Sequence, residues 1–277
     1  MKIALGDQQV FYTAGATLET NTTSNPPPGQ KTIVFLHGAG LDHSVWVMPS
    51  RYFARHGFRV VAPDLPKHGA TSGPLLQDIN AFAEWVVELL EALCIERCNL
   101  VGHSMGSLIA FALAAKHPAR AERMALLGTA SPMRVGEGLL SAAKDSDAAA
   151  YAMANTWSHS RDGKFGRSGQ PGLWNMNTGL RLMQRCEAGV FHADLAACNA
   201  FDAEAIERVS QTPTLIIAGS KDQMTPVRVG HKLAERIDDT QTVLLPGSGH
   251  AMLSEQPNAV LDALAAFLME GNPPTFN

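Results

Sequence analysis

The chain has 277 residues, 45% of them hydrophobic and 17% charged, which suits one large globular domain or two small ones and excludes a disordered or fibrous protein. Its net charge of −4 favours neither nucleic acid nor an anionic membrane surface. No apolar run reaches the about 18 residues of a spanning helix, and the polar stretch at 6–9 interrupts the N-terminus before a secretory signal can form.

In chain order, the alternating runs at 2–5 and 10–12 predict a hairpin, and "TNTTSNPPPGQ" at 20–30 predicts a loop. A rhythm follows. The runs "TIVFLHG", "FRVVAPDL", "CNLVGHS", "RMALLGT", "PTLIIAGSKD" and "QTVLLPGSGH" are apolar on both alternate sets of positions, as parallel strands buried on two faces must be. Between most of them lie helical patterns. Residues 79–93 carry an apolar stripe at three- and four-residue spacing, and 104–117 is apolar almost all round. Thr225 and Pro226 read as an N-cap and first-turn proline of a helix to about 237, and Pro257 opens a last helix. Alternating strands and helices predict a doubly wound, mostly parallel sheet. Residues 131–210 contain no strand-like run and are too long for a loop. They are expected to form an inserted, mainly helical cap, with 1–130 and 211–277 as the core domain. Between 131 and 205 the cap has seven Lys/Arg and eight Asp/Glu, a balance that reads as solvated surface.

Ligands of open α/β sheets bind at the carboxyl ends of strands. There the chain places 37–40, Asp64, Ser104, Asp222 and His250. Gly102-His103-Ser104-Met105-Gly106 fits G-x-S-x-G, in which two glycines give clearance to a serine on a sharp strand-to-helix turn. A serine hydroxyl needs a base, and the base an orienting carboxylate. His250 and Asp222, at later strand ends, supply them in the order Ser…Asp…His. The small residues ending "FLHGAG" leave backbone amides for an oxyanion, and the donors are assigned to Ala39 and Met105. Asp64 reads as the organiser of its turn, and His37, His68 and His103 as backbone-bonding residues of theirs. Trp157, Trp174, Met176, Met183 and Phe191 are candidates for the pocket wall or for the insert's own core. Cys94, Cys98, Cys186 and Cys198 form no paired framework, and a reduced, cytoplasmic protein without metal or organic cofactor is expected.

The motifs "FLHGAG", "APDLPKHGATSG", "VGHSMGS", "AGSKDQMTP" and "PGSGHAMLSEQP" resemble, in order, the oxyanion loop, Asp-x-x-x-His-Gly turn, elbow, acid turn and histidine turn of the α/β-hydrolase family. The resemblance implies a triad of Ser104, Asp222 and His250 under a lid of 131–210. Serine at 104 argues against the family's dehalogenases and epoxide hydrolases, which carry aspartate there. The expected activity is hydrolysis of a small carboxylic ester or related acyl compound. A lactonase, thioesterase, C–C bond hydrolase or cofactor-free haloperoxidase or perhydrolase shares the apparatus, and a hydrolase-fold receptor for a small ligand is the alternative of another class.

Overall fold

A computed structural model describes residues 1–15, 29–145, 147–166, 174–206 and 211–269. The loop expected at 20–30 lies outside these except for Gly29 and Gln30.

The expected hairpin joins β1 (Lys2–Leu5) to β2 (Gln8–Thr13), with Lys2 opposite Phe11 and Leu5 opposite Gln8. Six further strands complete one sheet: β3 (Thr32–Leu36), β4 (Arg59–Pro63), β5 (Cys98–His103), β6 (Ala121–Leu127), β7 (Thr214–Gly219) and β8 (Thr240–Leu245). The order is β1-β2-β4-β3-β5-β6-β7-β8, antiparallel through the β2–β4 pair and parallel beyond it. Every residue of β3, β4, β5 and β7 is buried, which explains their unbroken apolar runs; the edge strand β8 is mostly half-buried or exposed.

Alternate residues of each strand face opposite cores. Val34, Leu36, Leu100, Leu126 and Ile216 pack with α2 (Ile79–Ala92) and α3 (Met105–Lys116). Ile33, Phe35, Val101, Leu127 and Ile217 pack with α1 (Val47–Arg55) and the C-terminal helix at Pro257–Leu268. Burying Val260, Leu264, Phe267 and Leu268 of that last helix contributes about 1.5–3 kcal/mol per side chain before the entropy of ordering is counted. Asp78 caps α2 by accepting from the Asn80 and Ala81 amides.

Between β6 and β7 the described residues hold helices only: α4 (Glu137–Asp145), α5 (Asp147–Ser158), α6 (Arg161–Lys164), α7 (Asn175–Met183) and α8 (Val190–Ala200). They have a core of their own, including Leu139, Ala150, Tyr151, Ala154, Phe191 and Leu195. Polar contacts fasten them to the chain beyond β8: Ala251 N–H donates to Ser158 O (2.8 Å), Ser160 N–H to Glu255 Oε1 (3.1 Å), and Asn175 Nδ2–H to Ser254 O (2.9 Å).

One expected cap is different. The helix after β7, α9, runs Val227–Ala234, with Pro226 at the N-cap position and no side-chain cap. The nearby Asp222 carboxylate accepts both the amide and the hydroxyl of Thr225, so that side chain is unavailable to the helix. The helix also stops short of 237, closing in a tight turn in which Ile237 N–H donates to Ala234 O (3.1 Å). α10 (Met252–Glu255) and α11 (Pro257–Leu268) end the described chain, and no described helix is long and apolar enough to cross a membrane.

Candidate active site

At the carboxyl end of β5 the backbone turns straight into α3 through Ser104, which has φ +53° and ψ −120°. A non-glycine residue in this region stores about 1–3 kcal/mol of strain. The turn is held by Ser104 N–H donating to Leu127 O on β6 (2.9 Å) and by Ser107 Oγ–H donating to Ser104 O (2.6 Å). A Cβ on Gly102 would lie 2.1 Å from the Gly106 carbonyl oxygen, and one on Gly106 would lie 2.2 Å from that of Leu36. Both contacts are with backbone and cannot relax, so this turn accepts only glycine on either side of the serine.

The loops after β7 and β8 bring two side chains to this serine. Ser104 Oγ–H donates to His250 Nε2 (2.9 Å), and His250 Nδ1–H donates to Asp222 Oδ2 (2.8 Å). That tautomer leaves the Nε2 lone pair facing the hydroxyl. Asp222 is fully engaged: Met224 N–H and Thr225 N–H each donate to Oδ1 at 2.8 Å, and Thr225 Oγ1–H donates to Oδ2 at 2.7 Å. Burial pushes the Asp222 carboxyl up, but the charge and hydrogen bond of His250 and the two bonds from Thr225 outweigh it and hold the group below the usual carboxylate range. His103 supports the histidine from behind, donating Nε2–H to the His250 carbonyl (2.9 Å). Its own protonation is suppressed to about 3 by burial and by the neighbouring His250, so it stays neutral.

The loop after β3 faces the elbow. His37 anchors it, accepting the Leu65 amide at Nε2 (3.0 Å) and donating Nδ1–H to Gly38 O (2.9 Å). Among the described residues, neither the Ala39 nor the Met105 amide has a hydrogen-bond acceptor. The Met105 side chain is buried in the α2–α3 core, so only its amide is available to the site.

A cavity of about 850 Å³ opens over Ser104, His250 and Ala39. Of the five wall residues expected from sequence, Trp157, Met183 and Phe191 line it. Trp174 and Met176 do not. Asn175, Thr178, Gly179, Leu182 and Met183 of α7 line the cavity, whereas Met176, which shares a face with Met183, sits about two turns nearer the N-terminus of the helix and does not reach it. Trp174 precedes the helix and is 65% exposed.

Asp64 organises its turn as expected, accepting from the His43 and Ala70 amides and from His43 Nδ1–H. Asp42, His43 and Asp64 lie close enough together to share a cation, but hydrogen bonds among themselves and to Ser44 already engage Asp64 and Asp42. Cys94, Cys98, Cys186 and Cys198 are not paired with one another in disulfides. Two residues of the site escaped sequence reasoning. Thr225 was assigned to a helix cap, although its place three residues after Asp222 is the spacing of a side-chain-to-backbone turn. Asp194 was not singled out, although an acid amid the apolar residues of α8 is a signal in itself.

The family model of the alpha/beta hydrolase fold matches residues 31–257. The chain is 27% identical to 3-oxoadipate enol-lactonase 1 of Acinetobacter baylyi over 249 residues, 88% of this chain and 91% of the relative. It is 28% identical to 2-hydroxymuconate semialdehyde hydrolase of a Pseudomonas species over 261 residues, 87% of each. Among solved structures, the enol-lactonase from Burkholderia xenovorans shares the fold with a TM-score of 0.83 at 24% identity, covering 98% of this chain and 100% of that one. A family match that runs from β3 into the last helix, on a sheet of this order, makes the chain a member of the alpha/beta hydrolase fold family.

Proposed function

We propose that this hydrolase cleaves small, uncharged carboxylic esters through an acyl-serine intermediate. The observation that carries the reading is the continuous relay from Asp222 through His250 to Ser104 on the floor of the cavity. Ser104 Oγ attacks the substrate carbonyl carbon as His250 Nε2 takes its proton. The imidazolium formed is stabilised by Asp222, and the Ala39 and Met105 amides receive the negative charge on the carbonyl oxygen. The tetrahedral adduct collapses as His250 hands its proton to the departing alkoxide. A water deprotonated by His250 then attacks the acyl carbon, and breakage of the bond to Oγ returns Ser104 and the carboxylic acid.

The cavity wall supports the uncharged substrate. Among the described residues its lining includes no Asp, Glu or Lys, and Arg134, the arginine among them, is exposed. The inserted helices, here proposed to act as a lid over 131–210, contribute much of that wall. A lactone is the cyclic form of the same substrate, and the likeness to an enol-lactonase over 88% of the chain favours including it.

The test is hydrolysis of p-nitrophenyl butyrate and of a panel of lactones by the parent chain and Ser104→Ala. Loss of the serine should reduce turnover by about 10⁴–10⁶-fold if the three residues act as a unit. A fluorophosphonate should label Ser104 once per chain. Near-parental rates from Ser104→Ala would overturn the reading, as would stoichiometric labelling of a protein that turns over none of the panel.

A further inference from the structure

We propose that Asp194, on α8 of the inserted segment, is a positioning residue for the oxyanion loop, holding Gly40 in place through a buried carboxylate shared with His68. This rests on the reading of the Ala39 amide as an oxyanion donor. Asp194 Oδ2 accepts the Gly40 amide at 2.9 Å and His68 Nε2–H at 2.8 Å, and both side chains of the pair are 1% exposed. Gly40 is the next residue after Ala39, so its bond fixes the Ala39–Gly40 peptide, the one that follows the Ala39 amide. Three residues before Asp194, the Phe191 ring lies so close to Gly40 that a Cβ there would sit 2.7 Å from it. Gly40 has φ +65°. α8 therefore grips the loop twice, once by a hydrogen bond and once by contact.

The chemistry of the pair fixes its charge. His68 Nδ1 faces the Pro66 carbonyl oxygen (3.0 Å) while Nε2 faces the carboxylate, so both ring nitrogens meet acceptors. Both bonds form together on the imidazolium. Burial pulls His68 down, but the charge and bond of Asp194, the Pro66 carbonyl and the charge of Asp64 more than offset it and hold the ring above its ordinary value. The other ring against it, His37 at 4.9 Å, is kept neutral by burial, with protonation suppressed to about 4. Asp194 Oδ1 has no partner among the described residues. A buried ion pair with an idle oxygen is poorly suited to stabilising a fold, and both of its bonds converge on the one oxygen that holds the loop. The same bond makes the loop answer to the position of α8: the Ala39 amide faces the nucleophile when the inserted helices are seated.

The experiment compares the parent chain with Asp194→Ala and the near-isosteric Asp194→Asn, whose amide oxygen can accept both bonds but carries no charge to hold a charged His68. Active enzyme is counted by fluorophosphonate labelling, and rates are expressed per labelled site. A positioning role predicts that kcat per site falls about 10²-fold in Asp194→Ala, the scale expected of a misplaced donor, with KM within about threefold. Asp194→Asn should show the same kcat-weighted loss to a smaller degree. Affinity for a trifluoromethyl ketone, which forms an oxyanion on Ser104, should weaken in step with kcat, while affinity for the carboxylic acid product should not. A merely structural Asp194 would lower Tm and leave per-site kcat and ketone affinity unchanged, which overturns the proposal. Should both variants fail to fold, amide exchange in the parent chain decides: a slowly exchanging Gly40 amide supports the bond, and a freely exchanging one overturns it. Failure of the serine mechanism is read separately, from an active Ser104→Ala.

Discussion

His250 and His68 each bond an aspartate Oδ2 at 2.8 Å in a buried setting, and the difference between them lies in what the second ring nitrogen meets. His250 Nε2 meets a serine hydroxyl, a group that can surrender a proton to it. His68 Nδ1 meets the Pro66 carbonyl, which can only accept and has no proton to give the ring. The aspartates differ as well. Asp222 keeps three donors besides its histidine, from Met224 and Thr225, whereas among the described residues Asp194 keeps only the Gly40 amide. A histidine–aspartate contact of a given length thus fits the proposed base in one place and the proposed fixed cation in another, and the partner on the far nitrogen makes the difference.

Replacing the two histidines in turn should give opposite readouts. His250→Gln removes the proposed base, and turnover of an ester that the parent cleaves should fall by about 10⁴-fold or more. Its effect on stability should be small, because Asp222 retains its other donors. His68→Gln leaves the Asp194 carboxylate buried without its cation and should destabilise by about 3–5 kcal/mol in chemical denaturation, the scale of a broken buried pair. Equal losses of turnover from both variants, with equal losses of stability, would erase the distinction. Thr225→Val is the finer probe. It removes a hydroxyl donor to Asp222 and should lower stability by about 1.5–3 kcal/mol and kcat by about tenfold, without the collapse seen for His250→Gln. Unchanged kcat would demote Thr225 to a turn residue.

How legible each pair was in the sequence follows from how it is built. Ser104, Asp222 and His250 stand at the ends of strands whose apolar runs are plain, and the sheet brings those ends together whatever the rest of the chain does. The glycines beside Ser104 were legible for the same reason, since the clashes they avoid are with local backbone. Asp194 and His68 are 126 residues apart, and their meeting depends on how α8 seats on the loop after β4, which periodicity does not encode. The cavity wall failed in the same way: Met176 and Met183 are seven residues apart on one face of α7, and how that helix packs along its length decides which of them reaches the cavity. Thr225 shows the remaining gap, a residue equally suited to a helix cap or to a neighbouring carboxylate, with the carboxylate the stronger acceptor.

The smallest effect separates the pairs by pH. A histidine held above its ordinary value stabilises the fold at low pH, and that contribution disappears as pH rises through the folded value; His68 is such a group. Asp222, held below its ordinary value, stabilises above the unfolded carboxylate range, and its contribution is lost as pH falls through its folded value. Between these windows His37 and His103 act against the fold on acidification. Their folded values, about 4 and about 3, lie below 6.5, so the unfolded chain takes up protons that the folded chain refuses. From about pH 6.5 down to pH 5 each should remove about 1.4 kcal/mol of stability per pH unit at most, an order-of-magnitude slope. Urea denaturation of the parent at pH 5, 6 and 7 should therefore show stability climbing with pH. His37→Asn should reduce the slope, because one of the two refusing rings is gone. In His68→Gln the climb between pH 6 and 7 should be steeper, since the opposing histidine acts in that part of the range. A parent whose stability falls from pH 5 to 7 would mean that the two raised histidines, His68 and His43, outweigh both neutral rings.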